Sequence, residues 1–244
     1  MIKVFRLKIK VNKRTVVLVN ASLFVIIALL NAGVVEALGE GRSVFHIQGY
    51  DSLLSGLLWP ALFFSLLTMI SILRVSKVSL VLFPIHSLGL SLFNLIIFFE
   101  KFDKVILIIS FFYLLISLYF YLLLKVELSE AYYNPCYSKN TLPSYFRNDV
   151  RLILKCSDKS YDSHLTNWGA GGFFCRMGSE KPHGKVSFEL KHEGGNFFGE
   201  GVVVASAENG VGIRVRKSEK GRLNWFNFYD IINQLGLTPQ RIVK

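Results

Sequence analysis

Four uncharged stretches dominate the first half of the chain: Thr15 to Val35, Ser52 to Leu73, Val78 to Phe99 and Val105 to Leu124. Each is about the 20 residues that a helix rising 1.5 Å per residue needs to cross roughly 30 Å of hydrocarbon. Buried helices of soluble proteins rarely run so long without a charge, so the pattern predicts four membrane-spanning helices. The composition agrees. Hydrophobic residues make up 52% and charged residues 18%, against about 45–50% and about 25% in soluble domains, and the mean hydropathy is +0.42. Such a chain has too much apolar surface for a disordered protein, and three cysteines in 244 residues exclude a disulfide scaffold.

The net charge of +11 is unevenly placed. Lys3, Arg6, Lys8, Lys10, Lys13 and Arg14 precede the first stretch without an anion among them. Arg74 and Lys77 lie in the second loop, whereas the first loop sets Arg42 against Glu40 and Asp51, and the third is neutral. Cations flank the cytoplasmic side of membrane helices, so this distribution predicts cytoplasmic N- and C-termini. The first apolar run exceeds the h-region of about 7–15 residues in a cleavable signal peptide. The basic arm is read as a topogenic signal that also suits anionic headgroups.

After Lys125 the chain changes character. Residues 126–244 hold 16 Lys+Arg and 12 Asp+Glu with no long apolar run. Three regions follow: a basic arm with a four-span domain over 1–125, a linker over 126–143, and a soluble domain over 144–244. Period-2 alternation between glycine-marked turns predicts strands at Val150 to Cys156, Ser163 to Thr166, Gly172 to Met177, Val186 to His192, Gly201 to Ser206 and Gly212 to Arg216. Trp225 to Leu235 carries apolar residues on one helical face, with Gly236 as its stop. Short strands and one helix in about 100 residues predict a small β-barrel, which leaves no open sheet edge.

Signals for catalysis are missing. Cys136, Cys156 and Cys175 are too far apart for a CxxC motif, and neither HExxH, GxSxG, a P-loop nor a nucleotide-binding GxGxxG is present. His86, Pro84 and Asn94 fall in the third span and Glu36 at the end of the first. Intramembrane polar groups are functional candidates in general, but here Glu36 is close enough to the interface to reach water and His86 can stay neutral with a hydrogen bond inside the bundle. No enzyme, metal centre or cofactor is expected. Nucleic-acid binding is disfavoured because six of the cations lie on the arm and the soluble half carries only +4. Arg214, Arg216, Lys217, Lys220 and Arg222 form a basic cluster read mainly as a solvated strand end.

Two short patterns in the soluble half stand out. Arg147-Asn-Asp-Val-Arg151 is an RxxxR at the junction of linker and first strand, and Asn167-Trp-Gly-Ala-Gly-Gly172 lies between the second and third strands. Together they resemble the PilZ domain, a family of small β-barrels with a C-terminal helix that bind the bacterial second messenger cyclic di-GMP through RxxxR and [D/N]xSxxG. The resemblance runs over roughly Ser144 to Leu237. It implies Arg147, Arg151, Asn167, Gly169 and Gly172 as ligand-binding positions and a bacterial inner-membrane location. Gly169 departs from the pattern, standing where the family has Ser.

The chemistry stands beside the resemblance. A guanidinium presents a planar fork of donors that matches a phosphate or the O6/N7 edge of guanine. Two arginines can serve both, the Asn167 amide can pair with a base edge, and glycines let backbone approach a ligand closely. Trp168 adds an aromatic face that meets either a base or the core. The missing hydroxyl at Gly169 removes one hydrogen bond, worth about 0.5–1.5 kcal/mol. The expectation is therefore a non-enzymatic membrane-anchored receptor for cyclic di-GMP acting on a protein partner. The alternative is a PilZ-like interaction module that does not bind nucleotide.

Overall fold

The computed structural model describes residues 9–45, 59–135, 150–157, 159–217 and 222–235. The chain divides into two compact units, Arg14–Leu128 and a second made of the described residues up to Lys13 together with those from Ser129 onward.

The first unit is helical: α1 (Val16–Gly39), α2 (Trp59–Leu73), α3 (Ser79–Lys101) and α4 (Lys104–Ser129). α1, α3 and α4 are long and apolar enough to cross a membrane, and α2 is a shorter apolar helix of 15 residues. Ser52 to Leu58, the start of the expected second span, lie outside the described residues. Apolar side chains such as Leu23, Ile27, Leu92, Ile96, Ile108 and Phe112 face outward, while Ala28, Leu29, Ala32, Leu90 and Tyr113 pack together inside. Small residues at such contacts let helix backbones approach closely where water supplies no driving force. Buried hydroxyls close onto their own helices, as Ser22 Oγ does on Leu18 O at 2.7 Å and Ser110 Oγ on Ile106 O at 2.7 Å. His86 is held by Ser65, with 2.7 Å between Nε2 and Oγ. α3 stops at Phe102, whose φ of +52° is left-handed. Asp103 Oδ1 then accepts from Val105 N at 2.7 Å to start α4.

The second unit is antiparallel β-sheet: β1 (Lys10–Val11), β2 (Arg151–Cys156), β3 (Lys159–Gly169), β4 (Gly172–Arg176), β5 (Lys185–His192), β6 (Gly195–Ala207) and β7 (Gly210–Lys217), with α5 (Trp225–Gln234) after them. Pairings run β6-β5-β2-β3-β4-β7 and return from β7 to β6, so six strands form a closed ring. Each of the six expected strands is present, and those begun at Ser163 and Gly201 extend well beyond the expected ends. Alternation puts Leu152 and Leu154, Val186, Phe188 and Leu190, and Val211 and Ile213 into one core. Trp225, Phe228 and Ile232 of α5, at spacings of three and four, join that core. Asn224 starts α5 by accepting from the backbone N–H groups of Phe226 and Asn227, and the Asn227 side chain returns the bond in a capping box. Gly236, the expected stop, lies outside the described residues.

The end of the basic arm is a strand. Lys10 pairs with Ser206 and Val11 with Ala205 on β6. Asn12 N then donates to Val204 O at 2.9 Å, and Ser206 Oγ to Asn12 Oδ1 at 3.2 Å. By charge alone the arm groups with the membrane domain. The hydrogen bonds of Lys10 to Lys13 go instead to β6, where the strand runs past the end of β5 and leaves backbone groups to satisfy.

Candidate ligand-binding face

The Asn167–Gly172 motif owes its orientation to a bulge. β3 pairs with β4 through Leu165 and Cys175, then through Asn167 and Phe174, so Thr166 is an extra residue. Thr166 Oγ1 fixes it by donating to Phe174 O at 3.1 Å. Leu165 packs against the core and so does Trp168, which strict alternation would forbid. The extra residue reverses the alternation. It turns Asn167 and Gly169 to the outer surface and sends Trp168 inward, so the tryptophan meets the core rather than an open face. The expected turn is shorter than the motif, since Asn167 and Gly169 are strand residues and Gly172 begins β4.

Gly172 is required by its surroundings. Its φ is +153°, and an added Cβ would overlap Ile213 O and lie 3.0 Å from Arg214 Cα on β7. Gly169 is held by its carbonyl, which accepts from Trp225 Nε1 at 3.1 Å. Through that bond the first turn of α5 fixes the motif's backbone from the inside.

The outer surface over this motif carries a piece of the protein's own chain. Immediately after α4, Ala131–Tyr133 form one 3-10 turn, and Ala131, Tyr132 and Tyr133 are all buried. Asn167, only 7% exposed, donates from Nδ2 to Asn134 O and, at 3.4 Å, to Ala131 O. An added Cβ on Gly212 of β7 would overlap the Tyr132 carbonyl, so glycine there lets the turn lie flat on the strand. At the β3–β4 turn, a Cβ on Gly171 would lie 3.0 Å from Glu130 Oε2, and one on Gly169 would lie 3.5 Å from Ala131 Cβ. Residues 130–134, read from sequence as linker, belong to the β unit. The signal available in the sequence was the apolar and aromatic run Ala131-Tyr132-Tyr133 in an otherwise polar stretch.

Arg151 opens β2, opposite His164 on β3 and Lys191 on β5. It is exposed and, because Leu152 and Leu154 face the core, it projects from the same outer surface as Asn167. With strands about 4.8 Å apart and about 3.4 Å per residue along them, the two Cα atoms are on the order of 10 Å apart, and an extended arginine covers much of that distance. Arg147 lies outside the described residues. Arg214, from the basic cluster, flanks Gly172 across the β4–β7 ladder and is half-buried.

Among the described residues, the other chemistry-bearing side chains form no metal-holding group. Burial pushes the Cys175 thiol up to about 12, which keeps it protonated and unreactive. Cys156 Sγ donates to His183 O at 3.4 Å, and Cys136 lies outside the described residues. Among the described residues no group of three His, Cys, Asp or Glu side chains could hold a metal ion. Compared with models of known protein families the chain matches none, and no curated protein matches it.

Proposed function

We propose that this chain is a membrane-anchored receptor that binds cyclic di-GMP on the outer surface of its β unit and passes the binding event to a membrane-associated protein partner. The observation that carries the reading is the joint placement of Arg151, Asn167, Gly169 and Gly172 on one surface, with Asn167 turned outward by the Thr166 bulge. A guanidinium and a primary amide at that separation suit a ligand with phosphates and purine edges. Arg147, outside the described residues, is the second guanidinium that the PilZ resemblance implies. The resemblance to PilZ domains rests on the same residues, and the closed antiparallel sheet with its C-terminal helix supports it.

The proposed topology is four spans with both termini in the cytoplasm of a bacterial cell. The pairing of Lys10–Val11 with the sheet built from the chain beyond α4 supports placing both ends of the helical unit on one side of a membrane. That needs an even number of crossings. α1, α3 and α4 are long and apolar enough for three of them, and the uncharged stretch Ser52 to Leu73, which contains α2, is proposed as the fourth. The cations of the arm and of the second loop favour the cytoplasm for that side.

A second reading is favoured by one contact: the Asn167 amide already bonds the chain's own carbonyls. In that reading the surface serves only to hold residues 130–134, and the β unit is a nucleotide-independent docking module. Calorimetric titration of the full-length protein in detergent separates the two. The full chain is needed because both Lys10–Val11 and Glu130–Asn134 are parts of the β unit. Saturable heat that disappears in the Arg147→Ala/Arg151→Ala double variant is expected. No heat at high micromolar cyclic di-GMP would sink the receptor, and undiminished heat in the double variant would sink the site.

A further inference from the structure

Residues 130–134 occupy the surface that the receptor reading assigns to the nucleotide, and the chemistry of the two occupants is incompatible. The two hydrogens of a primary amide can each serve one acceptor, and the Nδ2 of Asn167 serves Ala131 O and Asn134 O. They cannot also reach a purine edge. The Glu130 carboxylate stands over Gly171, with its Oε2 3.0 Å and its Oε1 3.5 Å from where a Cβ would be. A phosphate drawn to the same turn would meet an anion of like sign. Tyr132 lies directly on Gly212, so the segment cannot tilt toward β7 to make room.

Resting on the proposed cyclic di-GMP site, we infer that the Glu130–Asn134 segment is a built-in competitor of the nucleotide: the surface holds either the segment or the ligand. Release of the segment frees the residues that directly follow α4, which ends at Ser129. Binding is thereby converted into a change at the end of a membrane helix, an order-to-disorder switch of a kind that regulated proteins use. The apparent affinity of the wild-type chain is reduced by the fraction of molecules whose surface is uncovered.

Gly212→Ala tests this without touching Arg151, Asn167, Gly169 or Gly172. Its Cβ overlaps the Tyr132 carbonyl and should expel the segment. In the full-length protein, cyclic di-GMP binding is measured by calorimetry and release of the segment by amide hydrogen exchange at Tyr133 and Asn134, whose N–H groups close the 3-10 turn on Glu130 O and Ala131 O. The expected result is faster exchange at both amides when the wild type binds nucleotide. The variant should exchange fast without ligand and bind about tenfold more tightly or better. Equal affinities, with both amides still protected in the bound wild type, overturn the competition and leave the receptor standing. No binding by either protein, with the variant's amides exchanging fast, overturns the receptor and the competition with it. Should Gly212→Ala fail to fold, Glu130→Gln keeps the side-chain shape and removes the charge. A severalfold gain in affinity is then expected, and an unchanged affinity refutes the competition.

Discussion

Gly172→Ala separates a structural demand from a ligand's demand at a position that the sequence motif assigns to the ligand. The glycine has φ +153°, a region that residues with a side chain enter at a cost of about 1–3 kcal/mol. Its new Cβ would overlap Ile213 O and approach Ile213 C at 3.1 Å and Arg214 Cα at 3.0 Å. All three atoms are backbone, so no side chain can swing away, and β4 and β7 must part locally. The nearest ladder bond, from Val215 N to Gly171 O at 3.1 Å, would weaken or break at a net cost of about 0.5–1.5 kcal/mol. Together these give about 3 kcal/mol. For a unit of this size that corresponds to a fall of roughly 9–18 °C in Tm. Thermal unfolding of the full-length protein, followed by tryptophan fluorescence in a Trp59→Phe background so that Trp168 and Trp225 report, measures it without nucleotide present. Gly178→Ala is the control, because nothing lies within 4 Å of its Cβ position, and it should shift stability by no more than about 1 kcal/mol. If Gly172→Ala melts with Gly178→Ala, the close approach of β4 to β7 is wrong and the glycine is free to be explained by a ligand alone.

Trp225→Phe keeps an aromatic ring against Phe173 and Phe228 but removes the donor to Gly169 O, and urea unfolding should show a loss of about 1–3 kcal/mol. Cys175 has its thiol raised by burial to about 12 from 9.0, so the folded state holds the proton that the unfolded chain releases. The associated stability is intact below pH 9 and is lost as pH rises toward 12, at up to about 1.4 kcal/mol per pH unit; Cys175→Ala should flatten the alkaline limb of a denaturation series, and an unchanged slope would refute the assignment. Ser65→Ala removes the bond between α2 and His86 on α3 and should lower the detergent-phase stability of the helical unit by about 0.6–2 kcal/mol, read by hydrogen exchange in α2.

The elements were legible because each depends on a local pattern. An uncharged run marks an apolar helix wherever it packs, and Leu152, Leu154, Val186, Phe188 and Leu190 show their shared face by alternation alone. The orientation of the motif was not legible. It rests on Thr166 being one residue too many for the ladder, and a bulge leaves no trace in a period-2 pattern until the partner strand is known. The docking of Ala131–Asn134 was hidden for a similar reason. It depends on Gly212 and Asn167, residues far along the chain that only the closed sheet brings beneath the turn. The cations of the arm point to the membrane, yet Lys10 and Val11 are placed by backbone groups of β6 beyond the end of β5, a need that charge does not report.

The one departure from the PilZ pattern takes on a different meaning in this setting. An obvious expectation is that Gly169 is imposed by the segment lying over it, as Gly212 is. It is not: its backbone is outside the left-handed region, and its Cβ position is 3.5 Å from Ala131 Cβ and 3.8 Å from Glu130 Oε2, which is ordinary contact. The Cβ of a serine fits there without moving the segment. The missing hydroxyl is therefore not a consequence of packing, and Gly169→Ser can restore it while the competing segment stays in place. If the surface binds cyclic di-GMP, the added donor should tighten binding by about 0.5–1.5 kcal/mol, or roughly threefold to tenfold. If the surface has become a dock for the chain's own turn, the new hydroxyl sits beside Glu130, can donate to it, and strengthens that dock instead. Amide exchange at Tyr133 and Asn134 would then slow with no nucleotide bound, so one substitution moves two observables in directions that depend on which partner the surface serves.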